Sequence, residues 1–263
     1  MPSILYSVDV NSLYLLVSML LGLCVAAFAG KMTWGQKVRR DAAFDDELKV
    51  VLGGTLSMFG LLMGFILSFA ISGLNTRMTA EENEAIAIGN AFQRTTLLSE
   101  SQQEQAEKML MDYLAIRISF FATEDDDQRA AIRLDSIKMQ SHMWALISKI
   151  AKEKPSSMIV TALNATNELY VSQQKTMASW RPQIPGVAWA LLILFAVCSN
   201  FLIGYNVKGS RGGNTLVCVM PIFTALALFM IAEIDVPGKG IIQVVPDNLR
   251  ALIVTLEHGG LTL

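Results

Sequence analysis

Few side chains in this sequence could carry out bond-making chemistry. There are two histidines, His142 and His258, and three cysteines, Cys24, Cys198 and Cys218, each of the latter inside an apolar run. Cysteines so placed read as small apolar fillers and not as a disulfide framework. No nucleophile motif, phosphate-cradling glycine loop or Cys/His ligand spacing is present, so hydrolase, kinase and zinc-site chemistry lack their residues. The run Glu124-Asp125-Asp126-Asp127 could attract a divalent cation, but acidic residues just ahead of a helix more often compensate its dipole. Asn164-Ala165-Thr166 fits the glycosylation tripeptide yet falls inside a helical pattern, which gives it a structural reading. No catalytic residue, metal or cofactor is expected, and an enzyme is the most distant reading.

The spacing with most content lies in the second of four long apolar runs. There Gly53, Ser57, Gly60 and Gly64 recur at i, i+4, i+7 and i+11, which leaves one helix face without bulky side chains. Such a seam permits close helix contact. About 100° round the same helix, Leu61, Phe65, Phe69 and Ser72 make a bulkier second face. That face either meets lipid or a bundle core, or, with copies from several subunits, forms a hydrophobic constriction that gates by dewetting. Four spans in one bundle have a filled interior, so a conducting path would need an oligomer.

The elements that position these faces follow from composition. Of 263 residues 52% are hydrophobic and 17% charged, against about 25% charged in an ordinary soluble domain; mean hydropathy is +0.43. Crossing about 30 Å of hydrocarbon takes about 20 helical residues. Four stretches qualify, near 12–30, 50–74, 187–205 and 214–234, and the only charge within them is Glu233 at the end of the fourth. The first is read as a retained helix and not a secretory leader, because the residues before it carry Asp9 and no Lys or Arg. Between the second and third, Gly73 to Gln183 holds 12 of the 21 basic and 14 of the 23 acidic residues. That section is therefore water-soluble, and with no basic field it offers nothing to nucleic acid.

The expected fold is an all-α membrane protein with four transmembrane helices, two plus two, and an inserted soluble helical bundle. Its divisions are a first hairpin over 1–74, the helical domain over 75–183, a second hairpin over 184–235 and an amphipathic tail over 236–263. Within the helical domain the second span continues as a charged helix from Thr76 to about Leu98, and Ser99 or Ser101 restarts a helix with Gln102 or Glu104 as capping-box partner. Apolar stripes follow at Leu110, Leu114, Ile118 and Phe121, and at Met139, Met143, Leu146, Ile147 and Ile150. Lys154-Pro155-Ser156 breaks the chain. A last helix bearing Ile159, Leu163, Tyr170 and Met177 runs to Pro182 and Pro185. Lys31, Lys37, Arg39, Arg40 and Lys49 after the first span, with Lys208 and Arg211 after the third, put both short loops on the cytoplasmic side and the helical domain outside.

Several of these segments resemble one family. Gly60-Leu-Leu-Met-Gly-Phe-Ile-Leu-Ser68, Glu84-Ala-Ile-Ala-Ile-Gly89, Arg94 and Leu97-Leu98 look like the second-span module of the bestrophin-like bacterial membrane proteins. Ala162-Leu163-Asn164 with Glu168, Pro185 followed by Trp189, and Gly204-Tyr205 are similar to its later segments. Glu233-Ile-Asp235-Val-Pro237-Gly-Lys-Gly240-Ile241 is similar to its closing Asp-x-Asp-x-Pro-x-x-Gly-Ile pattern, with Glu233 in place of the first acid. The resemblance covers roughly 50–245. By likeness of layout to true bestrophins, it implies a homo-oligomeric, pentameric anion channel of the bacterial inner membrane. Leu61, Phe65, Phe69 and Ser72 would then line the neck, while Glu84, Arg94 and Asp235 are the family-motif polar residues. The acidic calcium clasp of animal bestrophins has no counterpart here, and their helical domain is cytoplasmic. The expected partners are the lipid bilayer, further copies of the chain and small ions. The reading from another class is a membrane-anchored helical scaffold or sensor whose soluble domain binds a partner protein.

Overall fold

Long apolar runs, and polar runs rich in Ala, Glu, Gln and Lys, both favour helix. The computed structural model describes residues 10–34, 42–207, 213–238 and 242–258, and among these it has eight α-helices and no strand. They are α1 (Val10–Trp34), α2 (Ala42–Arg94), α3 (Glu100–Ala122), α4 (Asp126–Glu153), α5 (Ser157–Ser179), α6 (Gly186–Asn206), α7 (Gly213–Asp235) and α8 (Asp247–Glu257). Lys37, Arg39, Arg40, Lys208, Arg211, Gly240 and Ile241 lie outside the described residues. Parts of α1, α2, α6 and α7 are long and apolar enough to cross a membrane. The 53 residues of α2 exceed by more than twofold what a bilayer needs, so only part of it can lie in hydrocarbon.

The chain divides into two compact units, residues 1–73 with 182–242 and residues 74–181 with 243–263. In the first, α1 lies along α6 and α7. Gly30 and Gly204 mark the close crossing of α1 with α6: a Cβ on Gly30 would overlap the carbonyl oxygen of Phe201, and one on Gly204 that of Ala27. Single small residues thus let two backbones touch. α7 carries Pro221 inside it and stops before a turn in which Gly238, following Pro237, has φ 68°, a left-handed conformation that glycine adopts without strain.

The second unit is built by α3, α4, α5, α8 and the last part of α2. Its core joins Ile88, Leu110, Tyr113, Leu114, Phe120, Phe121, Met143, Leu169 and Leu249. The stripes expected on α3 and α4 are buried or half-buried as read. Asp125 caps α4, its side chain accepting from the Gln128 N–H at 2.8 Å, and Ser156 caps α5 through the Ile159 N–H at 3.2 Å. Ser99 occupies the N-cap of α3, but its side chain makes no cap bond. Its carbonyl accepts from Gln102 and Gln103 instead, so the expected capping box is not formed. On α5 Ile159 is buried and Leu163 and Met177 are half-buried, as read, but Tyr170 is exposed. The rest of the buried face is Leu169 with Ala162, Ala165, Thr166, Ser172, Gln173, Thr176 and Ser179, mostly small or polar residues that admit close neighbours.

Candidate functional site

One face of α2 turns inward along Leu48, Phe59, Ile66, Ala70, Arg77, Glu84, Ile88 and Ala91, all buried. At 3.6 residues per turn these positions share one side of the helix. The two faces singled out above lie elsewhere on it. Leu61, Phe65 and Phe69 are 63%, 58% and 65% exposed, and Ser72 is exposed as well. Gly53, Ser57, Gly60 and Gly64 are exposed too, and a Cβ added at any of the three glycines would meet nothing within 4 Å. Both faces are exposed among the described residues.

Within the second unit, the inward face of α2 carries charge. Glu84 and Arg117 are both fully buried and form a two-pronged ion pair, Arg117 Nε to Glu84 Oε1 and Arg117 Nη2 to Glu84 Oε2 at 3.2 Å. Thr176 donates to Glu84 Oε2 at 2.8 Å and Tyr113 to Oε1 at 3.4 Å. Gln140 donates to the Tyr113 oxygen at 2.9 Å, and Arg117 reaches Ser136 at 3.3 Å. The guanidinium also sits 4.4 Å from the ring centroid of Phe120. Burial first, and then the Glu84 carboxylate, hold the Tyr113 phenol above its usual range, so it keeps its proton and remains a donor. Four helices, α2, α3, α4 and α5, are pinned to one another by this network.

Further contacts use the remaining motif and acidic residues. Arg94 pairs with Glu168 at 3.1 Å near the surface. Asp235 is buried and accepts from the Gln183 and Ile184 N–H groups at 2.9 and 3.2 Å, which fixes the Pro182 to Pro185 lead into α6 against the end of α7. In the acidic run Asp126 bonds Arg129 at 2.8 Å, and Glu124 accepts from Gln243 at 3.1 Å. Arg129 stacks 5.0 Å from the Trp180 ring centroid, and burial lowers its affinity for its proton while Asp126 opposes that shift. Among the described residues no three His, Cys, Asp or Glu side chains gather as a metal-holding group; His142 is exposed on α4.

Glu81 was not singled out by spacing, yet it is buried and accepts from the Leu249 N–H at 2.9 Å and the Asn248 side chain at 2.6 Å. A carboxylate on α2 therefore satisfies the open N-terminus of α8, where the helix dipole favours negative charge. Glu81→Ala is expected to loosen α8 by about 1–2 kcal/mol. Hydrogen exchange should show it as faster labelling of amides 248–253 with the α3 amides unchanged. Unchanged labelling of α8 would remove the carboxylate from that role.

All-helical structure among the described residues, with four helices of membrane-spanning length and apolarity, defines a helical membrane protein. A family model described as Bestrophin-like domain matches residues 23–249, and the chain belongs to that family. Neither the curated proteins nor the solved structures compared with it contain a match.

Proposed function

We propose that this chain assembles into a homo-oligomer that conducts small ions, in the first place anions, along an axis lined by the Leu61, Phe65, Phe69 and Ser72 face of α2. The observation that carries the reading is that this face is exposed among the described residues although three of its four residues are large and apolar. Two phenyl rings one turn apart on each copy would make a ring of hydrophobic side chains narrow enough to exclude water. The uncovered glycine and serine seam beside it supplies the place where the next copy packs. The arrangement includes four spans in a bacterial inner membrane, the inserted helical domain over 75–183 and the tail over 236–263, with five subunits by analogy to bestrophins.

Purified protein in liposomes is expected to pass chloride above the rate of empty vesicles. Phe65→Ala with Phe69→Ala should widen the constriction; lowering the barrier by about 1.4 kcal/mol would raise flux tenfold. Flux indistinguishable from empty vesicles in both proteins would overturn the channel reading. A monodisperse monomer would return α2 to lipid and favour an anchored scaffold.

A further inference from the structure

We propose that Thr79 and Asn83, on the part of α2 that belongs to the second unit, are the side chains that touch the permeating ion beyond the phenyl rings and select anions over cations. The inference rests on the conducting assembly proposed above. Asn83 follows Phe65 by 18 residues, five full turns at 3.6 residues per turn, which places it about 27 Å further along the same helix and on the same line. Thr76, Thr79 and Asn90 fall within about 40° of that line. α2 is one helix from Ala42 to Arg94 and holds no proline, so no proline kink turns this face aside.

Thr76, Thr79 and Asn83 are exposed, so their polar groups stand at the surface of the unit and not in its core. Charge is kept off the line. Of the five charged side chains on α2 between Leu74 and Arg94, Arg77, Glu81 and Glu84 are buried, and Arg94 pairs with Glu168. Glu82 is exposed, but one residue of separation from Asn83 puts it about 100° round the helix. The line therefore offers a hydroxyl O–H at Thr79 and an amide N–H at Asn83, with no fixed carboxylate on it to repel an anion. Repeated in every copy around an axis, the two positions make successive rings of donors that replace part of the water held by a monovalent anion. An amide can turn its N–H toward such an ion, whereas a carboxylate of the same shape can only accept.

The native chain in planar bilayers under a potassium chloride gradient gives the permeability ratio of chloride to potassium from its reversal potential. Asn83→Asp keeps the shape, replaces the donor by a charged acceptor, and is expected to lower that ratio by about tenfold or more. Thr79→Val removes the other donor and is expected to lower chloride conductance by about threefold or more. Glu82→Gln removes a charge one residue away but off the line, and should leave the ratio within about twofold of native. All three variants change exposed side chains, and an unaltered circular dichroism melt will establish that the fold is intact. A native chain that passes no current removes the conducting assembly, and this assignment falls with it. A native chain that conducts chloride with a ratio unmoved by Asn83→Asp, or moved as far by Glu82→Gln, overturns the assignment and leaves the assembly standing.

Discussion

Glu84→Ala is expected to destabilise the helical unit by about 3–5 kcal/mol, the usual cost of leaving one member of a buried ion pair alone. Arg117 is fully buried and cannot shed its charge, so removal of the carboxylate leaves a guanidinium with Ser136 and the rings of Phe120 and Phe121. Tyr113 and Thr176 lose an acceptor in the same step. Arg117→Met alone should cost a similar amount. The double variant Glu84→Leu with Arg117→Met should recover most of the loss, since well-packed apolar residues of like volume often replace a buried pair at little cost. Thermal melts followed by circular dichroism in detergent would measure all three. A Glu84→Ala melt matching the native one would show that the network does not hold the four helices together.

The second large effect is expected at Gly204. A Cβ there overlaps the carbonyl oxygen of Ala27, which is backbone and cannot swing aside. Gly204→Ala must therefore push α1 and α6 apart, at about 1–3 kcal/mol or more, and Gly204→Leu should abolish a stable fold. Gly30→Ala meets Phe201 in the same way. Gly60→Ala is the informative contrast, because among the described residues nothing beyond the helix's own adjacent backbone lies within 4 Å of the added methyl. It should leave the melting of the chain unchanged but lower the mass of the assembly by light scattering if the seam joins subunits. Equal tolerance of alanine at Gly204 and Gly60 would contradict the close crossing.

Much of this architecture could be read before any coordinates. The four apolar runs, the break at Lys154-Pro155-Ser156, the stripes on α3 and α4 and the stop ahead of α6 all follow from hydropathy, period and proline. What escaped is also explicable. The crossing of α1 and α6 rests on one glycine per helix, and a single glycine carries no period, whereas the repeated small residues of α2 do. On α5 bulk found Ile159, Leu163 and Met177 but misplaced Tyr170, which is exposed, because the face nearest Glu84 is small and polar.

Arg117 was legible in principle and was passed over. It falls seven residues after Leu110 and four before Phe121, on the middle of an apolar stripe, where an unpaired charge cannot remain. A stripe of that kind demands an acid elsewhere, and Glu84, noted only as part of a family pattern, is that acid. Glu81 gave no such sign. Its partner is the backbone of α8, and the sequence does not announce which side chain will meet a helix end.

The burial of Leu249, on α8, sets an order of events during synthesis. The second unit begins at Leu74 but takes in residues 243–263, and Leu249 is wholly enclosed in its core. While the ribosome is still making α6 and α7, the nascent unit has no Leu249 to seal it and no α8 to receive Glu81. The core of the second unit therefore closes only after α6 and α7 have been synthesised.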